Sequence, residues 1–342
     1  MSDSPPTATL ESSRESPAPP GTDGGHFRKA RTMVDELKVR GTGLGTVPVC
    51  VITGGGSGMG LATARLMTDH HVVLVGRTAR KLEEAARDLR AAGITVDVYV
   101  CDIADRESVQ DLARFAAGLG PVTAVVHAAG QSPHMGSAQQ LLDANALGTL
   151  YVNDAFLDVL EPGGCLVDVA SMSAHLVPAI ALPRWAYPMA RRDVPAFRRW
   201  VLRWINIFPK AVREGIAYAI SKDFVVWLAR QDAGRFGAKG ARVLSVSPGS
   251  FDTPMGDVEG DEAMALVSGA PIPRLGHVDE IAHLLAFCVG ERAGYLTGTD
   301  ILCDGGVVAA GISPIKRRPA TPTASEVATK PSRAAADQVL VG

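Results

Sequence analysis

Seven short apolar, β-branched runs punctuate the middle of the chain: Val49–Thr53, Val72–Gly76, Thr95–Cys101, Thr123–His127, Cys165–Ala170, Arg242–Ser247 and Asp300–Cys303. They are nearly continuous in apolar residues rather than alternating, which is the pattern of strands covered on both faces. Helical periodicity fills the gaps, as in Gly58–Asp69, Ala79–Ala91 and Ser108–Ala117. Strand–helix alternation of this kind predicts an α/β fold with a doubly wound, seven-stranded parallel sheet over about residues 47–312.

The rhythm stops at both ends and once in between. Residues 1–24 are turn-formers and polar residues without periodicity. Residues 26–40 could form a short helix with Phe27, Ala30, Val34 and Leu37 on one face. The segment 1–46 therefore reads as a disordered or partly helical extension, and the Pro-, Thr-, Ser- and Ala-rich residues 313–342 as a disordered tail. The internal break is residues 176–214, a long helical insertion between the fifth strand and the next helix. It holds Trp185, Trp200 and Trp204, three of four tryptophans. Pro195 suits a helix start and Pro209 a stop. Between them Phe197, Trp200, Val201, Trp204 and Phe208 fall on one face, and Arg198, Arg199 and Arg203 on others, so the helix is basic and amphipathic. Its apolar face can pack on the domain, form a lid over an apolar pocket, or dock on a membrane surface or partner through about 191–213.

Composition narrows the classes. The chain has 342 residues, 46% of them hydrophobic and 20% charged, and a net charge of −2. That suits a globular α/β protein and implies no general attraction to nucleic acid. No run of about 18 apolar residues occurs, so stable membrane insertion is not expected. The five cysteines form no CxxC pair and read as reduced thiols of a cytoplasmic protein. No cluster of His, Cys and carboxylates has ligand spacing, so no metal is expected.

Candidate chemistry lies in two segments. Thr53–Gly60 reads TGGGSGMG between the first strand and a helix. Small residues at Gly54, Gly58 and Gly60 let backbone approach a pyrophosphate at the helix N-terminus. The second strand ends Gly76-Arg77, without the acidic residue that binds a ribose diol. Arg77 can pair instead with a 2′-phosphate, Thr78 and Lys81 being near, which favours NADP(H) over NAD(H). Asp102, after the third strand, is placed to meet the adenine edge or to cap the next helix. The other segment is YAISK, with Tyr218 and Lys222 at i, i+4 on a helix. A phenol with pKa near 10 transfers protons poorly at neutral pH, and an adjacent ammonium lowers that value. Ser171, with Ser173 as the rival, ends the fifth strand where substrate oxygens bind. Asn145 sits within a helix expected beside the site, where it can bond backbone or a water that relays protons.

Taken in order, TGGGSGMG, Asp102, HAAG at 127–130, Asn145, Ser171, YAISK and SPGSFDT at 247–253 resemble the short-chain dehydrogenase/reductase family over about residues 48–306. The resemblance implies a single Rossmann-type domain. It also implies a catalytic tetrad of Asn145, Ser171, Tyr218 and Lys222. The implied coenzyme contacts are Gly54, Ser57, Gly58, Met59 and Gly60 in the loop, then Arg77, Asp102 and Ile103. They continue through Ala128, Ala129 and Gly130 after the fourth strand, Tyr218 and Lys222, and Pro248, Gly249, Phe251 and Thr253. His127 stands where the family more often carries Asn. The short link to Asn145 and the long insertion are similar in layout to bacterial 3α-hydroxysteroid dehydrogenase/carbonyl reductase, although Arg77 replaces that branch's acidic selector. The implied activity is hydride transfer between NAD(P) and a bulky apolar ketone or secondary alcohol, by a homodimer whose insertion covers the usual helix interface. The contrasting expectation is a non-catalytic NAD(P) sensor or docking protein on the same scaffold.

Overall fold

The computed structural model describes residues 47–253 and 264–312, all within one compact unit. The expected N-terminal extension, with its helix over 26–40, and the expected C-terminal tail lie outside the described residues.

The sheet is formed by β1 (Val49–Thr53), β2 (His71–Gly76), β3 (Val96–Val100), β4 (Val122–His127), β5 (Leu160–Val169), β6 (Arg242–Pro248) and β7 (Asp300–Cys303). Their order is β3-β2-β1-β4-β5-β6-β7 and every pairing is parallel. The principal helices are α1 (Gly58–Ala64), α2 (Ala79–Ala91), α3 (Arg106–Leu119), α4 (Ala138–Leu141), α5 (Gly148–Leu157), α6 (Val194–Ile205), α7 (Arg213–Gly237) and α8 (Val278–Val289), with a π-helical turn, Leu142–Leu147, between α4 and α5. Val49 to Ile52 and Val72 to Val75 have no exposed surface, which explains their unbroken apolar pattern. Val49 and Val51 belong to one core cluster, and Cys50 and Ile52 to another, as the two-residue period of a strand requires. β5 starts earlier than its apolar run suggests. Leu160 pairs with Val122, and the register then shifts so that Cys165 meets Ala124. Gly163, at φ +86°, lies in the extra length.

The strand order reverses between β1 and β4. In such sheets the crevice at the carboxyl ends of the strands, at that reversal, is where ligands bind.

The insertion folds onto the sheet's helical layer. Asp193 starts α6 by accepting the Ala196 N–H at 2.8 Å, and Pro195 occupies the first turn. Phe197, Val201 and Ile205 recur at i, i+4, i+8 and are fully buried. Phe197 packs on Phe224 of α7 (5.4 Å between ring centroids), and Tyr187 on Phe224 (5.2 Å) and Trp227 (5.5 Å). Three arginines pin the segment. Arg184 grips Asp223 with two bonds of 3.0 and 2.5 Å, Arg191 lies 2.7 Å from Asp232, and Arg198 lies 2.6 Å from Asp143.

Candidate active site

A cleft of about 520 Å³ opens at the strand ends. Its floor is the β1–α1 loop. Gly54 has φ +70°, and a Cβ there would lie 2.9 Å from the Ala128 carbonyl. A Cβ on Gly60 would lie 2.6 Å from the Gly54 carbonyl oxygen. Glycine is thus required both by conformation and by close approach, and the cradle stays open for a dinucleotide to lie against backbone. Ser57, Gly58 and Met59 complete that wall, and the Ser57 hydroxyl makes no bond to the helix it caps. Arg77 is exposed, lines the cleft beside Thr78 and Lys81, and bonds no partner among the described residues. Asp102 and Ile103 line the cleft after β3. Asp102 accepts the Ala104 N–H at 3.0 Å, but the cap of α3 is Asp105, which accepts from Glu107 at 3.0 Å. Ala128, Ala129 and Gly130 follow β4. Pro248, Gly249, Phe251 and Thr253 follow β6. Every coenzyme contact implied by the resemblance therefore lines one cleft.

The opposite wall carries the proton chemistry. Tyr218 and Lys222 lie one turn apart on α7, with the Lys222 Nζ 5.9 Å from the centroid of the Tyr218 ring. Nζ donates to the Val169 carbonyl at 2.9 Å, which draws the amine to the end of β5. Burial pulls the Lys222 pKa down to about 8, partly opposed by the Asp168 carboxylate. Ser171 follows β5, and backbone bonds of 2.7 Å from Ala170 to Val246 and from Met172 to Pro248 tie its turn to β6. Its Oγ accepts the Ser173 N–H at 3.2 Å, leaving the O–H proton for a substrate oxygen. Ser173 also lines the cleft, and its Oγ is buried without a hydrogen-bond partner among the described residues.

Asn145 makes the backbone bonds expected of it. It lies in the π-helical turn, is 1% exposed, and does not line the cleft. Its side-chain oxygen accepts the Gln131 N–H (2.8 Å), and its amide donates to the Gln131 carbonyl (3.0 Å) and the Ser221 hydroxyl (3.2 Å). It is a positioning residue that clamps the chain leaving β4. Gly130 fits beneath it: a Cβ there would meet Asn145 Oδ1 at 3.1 Å and Lys222 Nζ at 3.3 Å.

His127 is buried and bonded at both ring nitrogens. Nδ1 lies 2.7 Å from Thr53 Oγ1, and Nε2 lies 3.1 Å from Thr149 Oγ1. The Thr53 hydroxyl accepts the Ala129 N–H (3.1 Å), and the Thr149 hydroxyl donates to the Asn145 carbonyl (2.6 Å). These neighbours fix the tautomer: Thr53 donates to Nδ1, and Nε2–H donates to Thr149. Burial, reinforced by the Lys222 cation, holds the imidazole neutral with a pKa pushed down to about 3.

Of residues 176–214 only Leu176 lines the cleft. Phe197, Val201 and Ile205 of α6 are buried in the core, whereas Trp200, expected on the same face, is 40% exposed, and no residue of α6 lines the cleft. The sequence reading missed the wall formed by Gln131, Pro133, His134 and Met135, and the apolar patch of Met172, Leu176 and Leu266. Proximity to HAAG and to Ser171 was the available signal for both.

A glycine cradle for a dinucleotide and a Tyr–Lys–Ser group on one cleft define a nicotinamide-dependent α/β oxidoreductase. One family profile, described as short chain dehydrogenase, matches residues 48–185, and another, described as Enoyl-(Acyl carrier protein) reductase, matches residues 208–308. A short-chain dehydrogenase/reductase designated bsc3, from Alternaria brassicicola, is 32% identical over 266 residues, 76% of this chain and 95% of the relative. Cis-4-hydroxycyclohexanecarboxylate dehydrogenase from Sinomonas cyclohexanicum is 29% identical over 76% of this chain and 96% of its own length. A solved short-chain dehydrogenase from Burkholderia cenocepacia in complex with NADP is 25% identical, covers 75% of this chain and 96% of that one, and has a TM-score of 0.60. The chain belongs to the short-chain dehydrogenase/reductase family, and it is an NAD(P)-dependent oxidoreductase. Among the described residues no helix is long and apolar enough to cross a membrane.

Proposed function

We propose that the enzyme interconverts a bulky apolar ketone and its secondary alcohol, with NADP(H) favoured over NAD(H). The observation that carries this reading is the meeting of Tyr218, Lys222 and Ser171 with an apolar wall of Met135, Met172, Leu176 and Leu266 in one cleft. The coenzyme, when bound along the β1–α1 loop, supplies or accepts the hydride. The protein's part is the proton. In reduction the Tyr218 phenol donates to the carbonyl oxygen, the Ser171 O–H bonds that same oxygen, and the Lys222 ammonium favours the phenolate that results. Lys222 would also hold the ribose hydroxyls. Arg77, without an internal partner, supports 2′-phosphate binding, as does the NADP complex of the Burkholderia relative. The cyclic secondary alcohol in the name of the Sinomonas relative, a hydroxycyclohexanecarboxylate, supports secondary-alcohol chemistry, and the apolar wall makes steroid-like, terpenoid and long-chain compounds the candidates. A cytoplasmic homodimer completes the reading. All five cysteines are free, and the insertion covers the outer face of α7 and the π-helical turn, where a helix-paired tetramer would assemble.

The test is a turnover screen of hydroxysteroids, terpenols and long-chain secondary alcohols with each oxidised coenzyme, repeated on Tyr218→Phe. Loss of the phenolic proton should lower kcat by roughly a hundredfold to ten-thousandfold and leave coenzyme affinity nearly unchanged. Wild-type-like turnover in Tyr218→Phe would overturn the assignment.

A further inference from the structure

The insertion hides one face of α6 and leaves the other bare. Residues 184–213 hold eight of the chain's 34 Lys and Arg but only one of its 36 Asp and Glu, so a strongly basic segment sits in a chain of net charge −2. The pinning bonds use Arg184, Arg191 and Arg198, and Arg213 donates to the carbonyls of Asn206 and Phe208. Arg192, Arg199, Arg203 and Lys210 are exposed and pair with no carboxylate among the described residues. Arg199, Trp200 and Arg203 lie along the solvent side of α6, and Ile207 follows in the turn just past its end. Trp200 is 40% exposed and Ile207 is 66% exposed. Trp185, 52% exposed, packs edge-on against Trp200 at 5.9 Å, and the Arg203 guanidinium lies 6.0 Å from the Trp200 ring centroid. At the far end the Trp204 indole donates to the Ala181 carbonyl at 3.0 Å, which sets Ile180, 88% exposed, beside the same helix.

We propose that this ridge docks the enzyme on an anionic phospholipid surface. Two adjacent indoles prefer the headgroup level of a bilayer, where an apolar ring and a polar N–H are both accommodated. Unpaired guanidiniums bind phosphate oxygens. The isoleucines supply shallow apolar burial of the kind that lets an amphipathic helix lie in the interface. Arg199, Trp200 and Arg203 share one side of α6, with Trp185 packed on Trp200, and α6 is anchored to the core by its opposite face. The full-length enzyme would therefore dock without refolding.

The test is co-sedimentation of the full-length protein with vesicles of phosphatidylcholine, with and without phosphatidylglycerol, read together with tryptophan emission. Wild type should bind only the anionic vesicles, with a blue shift, and release in high salt. Arg199→Gln/Arg203→Gln should weaken partitioning by about fivefold per arginine, about 30-fold in all. Trp185→Ala/Trp200→Ala should lose the blue shift. The control Arg80→Gln/Arg87→Gln, on α2, should bind as wild type, and every variant should keep its turnover. The proposal is overturned if wild type shows no preference for anionic vesicles or if the ridge variants bind like the control. It is equally overturned if the tryptophan variant loses self-association while lipid binding is unchanged, which would make a second copy the occupant.

Discussion

A buried imidazole that stays neutral is a liability in acid. The His127 pKa lies near 3 in the folded enzyme, against an ordinary value near 6.5 when unfolded. Between those values the unfolded chain binds the additional proton, so the full stability is present above pH 6.5 and is lost as pH falls toward 3. At about 1.4 kcal/mol per pH unit, the loss at pH 5 is about 2 kcal/mol. His127→Asn removes that titration. Its denaturant-unfolding free energy should therefore fall less between pH 7 and pH 5 than that of wild type, and equal slopes would sink the account. The comparison between the two proteins is the informative quantity, because Asp168, whose pKa burial raises, titrates in the opposite sense. Ser171 was legible because it ends the fifth apolar run, and Tyr218 and Lys222 because they stand four residues apart on a helix. The bonding of His127 was not legible, because its partners Thr53 and Thr149 come from β1 and α5 and only the fold brings them together.

Among the elements, strands were read best, since burial on both faces leaves an unmistakable apolar run. The π-helical turn was invisible, because nothing in LLDANAL distinguishes it from ordinary helix. The amphipathic period of α6 was plain, but period alone says that a face is buried and not against what. The insertion's partners, Phe224 and Trp227 for its aromatic rings and Asp143, Asp223 and Asp232 for its arginines, lie elsewhere in the chain. Kinetics can separate packing from lid function here. Phe197→Ala deletes a fully buried ring and should cost about 3–5 kcal/mol by denaturant titration. Because α6 does not line the cleft, kcat/KM measured where the variant is still folded should stay within about threefold of wild type, well under 1 kcal/mol. A large loss of kcat/KM at full folding would favour the lid.

At the scale of the whole molecule, coenzyme binding and global stability report on the same charge. A ligand that binds only the folded state stabilises it by about 2.7 kcal/mol at a hundredfold excess over Kd. For a domain of this size each kcal/mol moves Tm by roughly 2–4 °C, so a saturating coenzyme should raise Tm by roughly 5–10 °C. Arg77 stands at the end of β2, exposed, with Lys81 one turn along and no carboxylate in the place of a diol acceptor. A 2′-phosphate would gain a guanidinium partner there, whereas a 2′-hydroxyl would gain none of comparable strength. NADP+ should therefore raise Tm more than NAD+ at equal concentration. Arg77→Ala should erase most of that difference by lowering the NADP+ shift, not by raising the NAD+ shift. The difference should also shrink with added salt, since the contact is made at the surface. An equal or larger shift with NAD+ in wild type, unchanged in Arg77→Ala, would remove Arg77 from coenzyme selection while leaving the cradle, the phenol and the amine where the fold has put them.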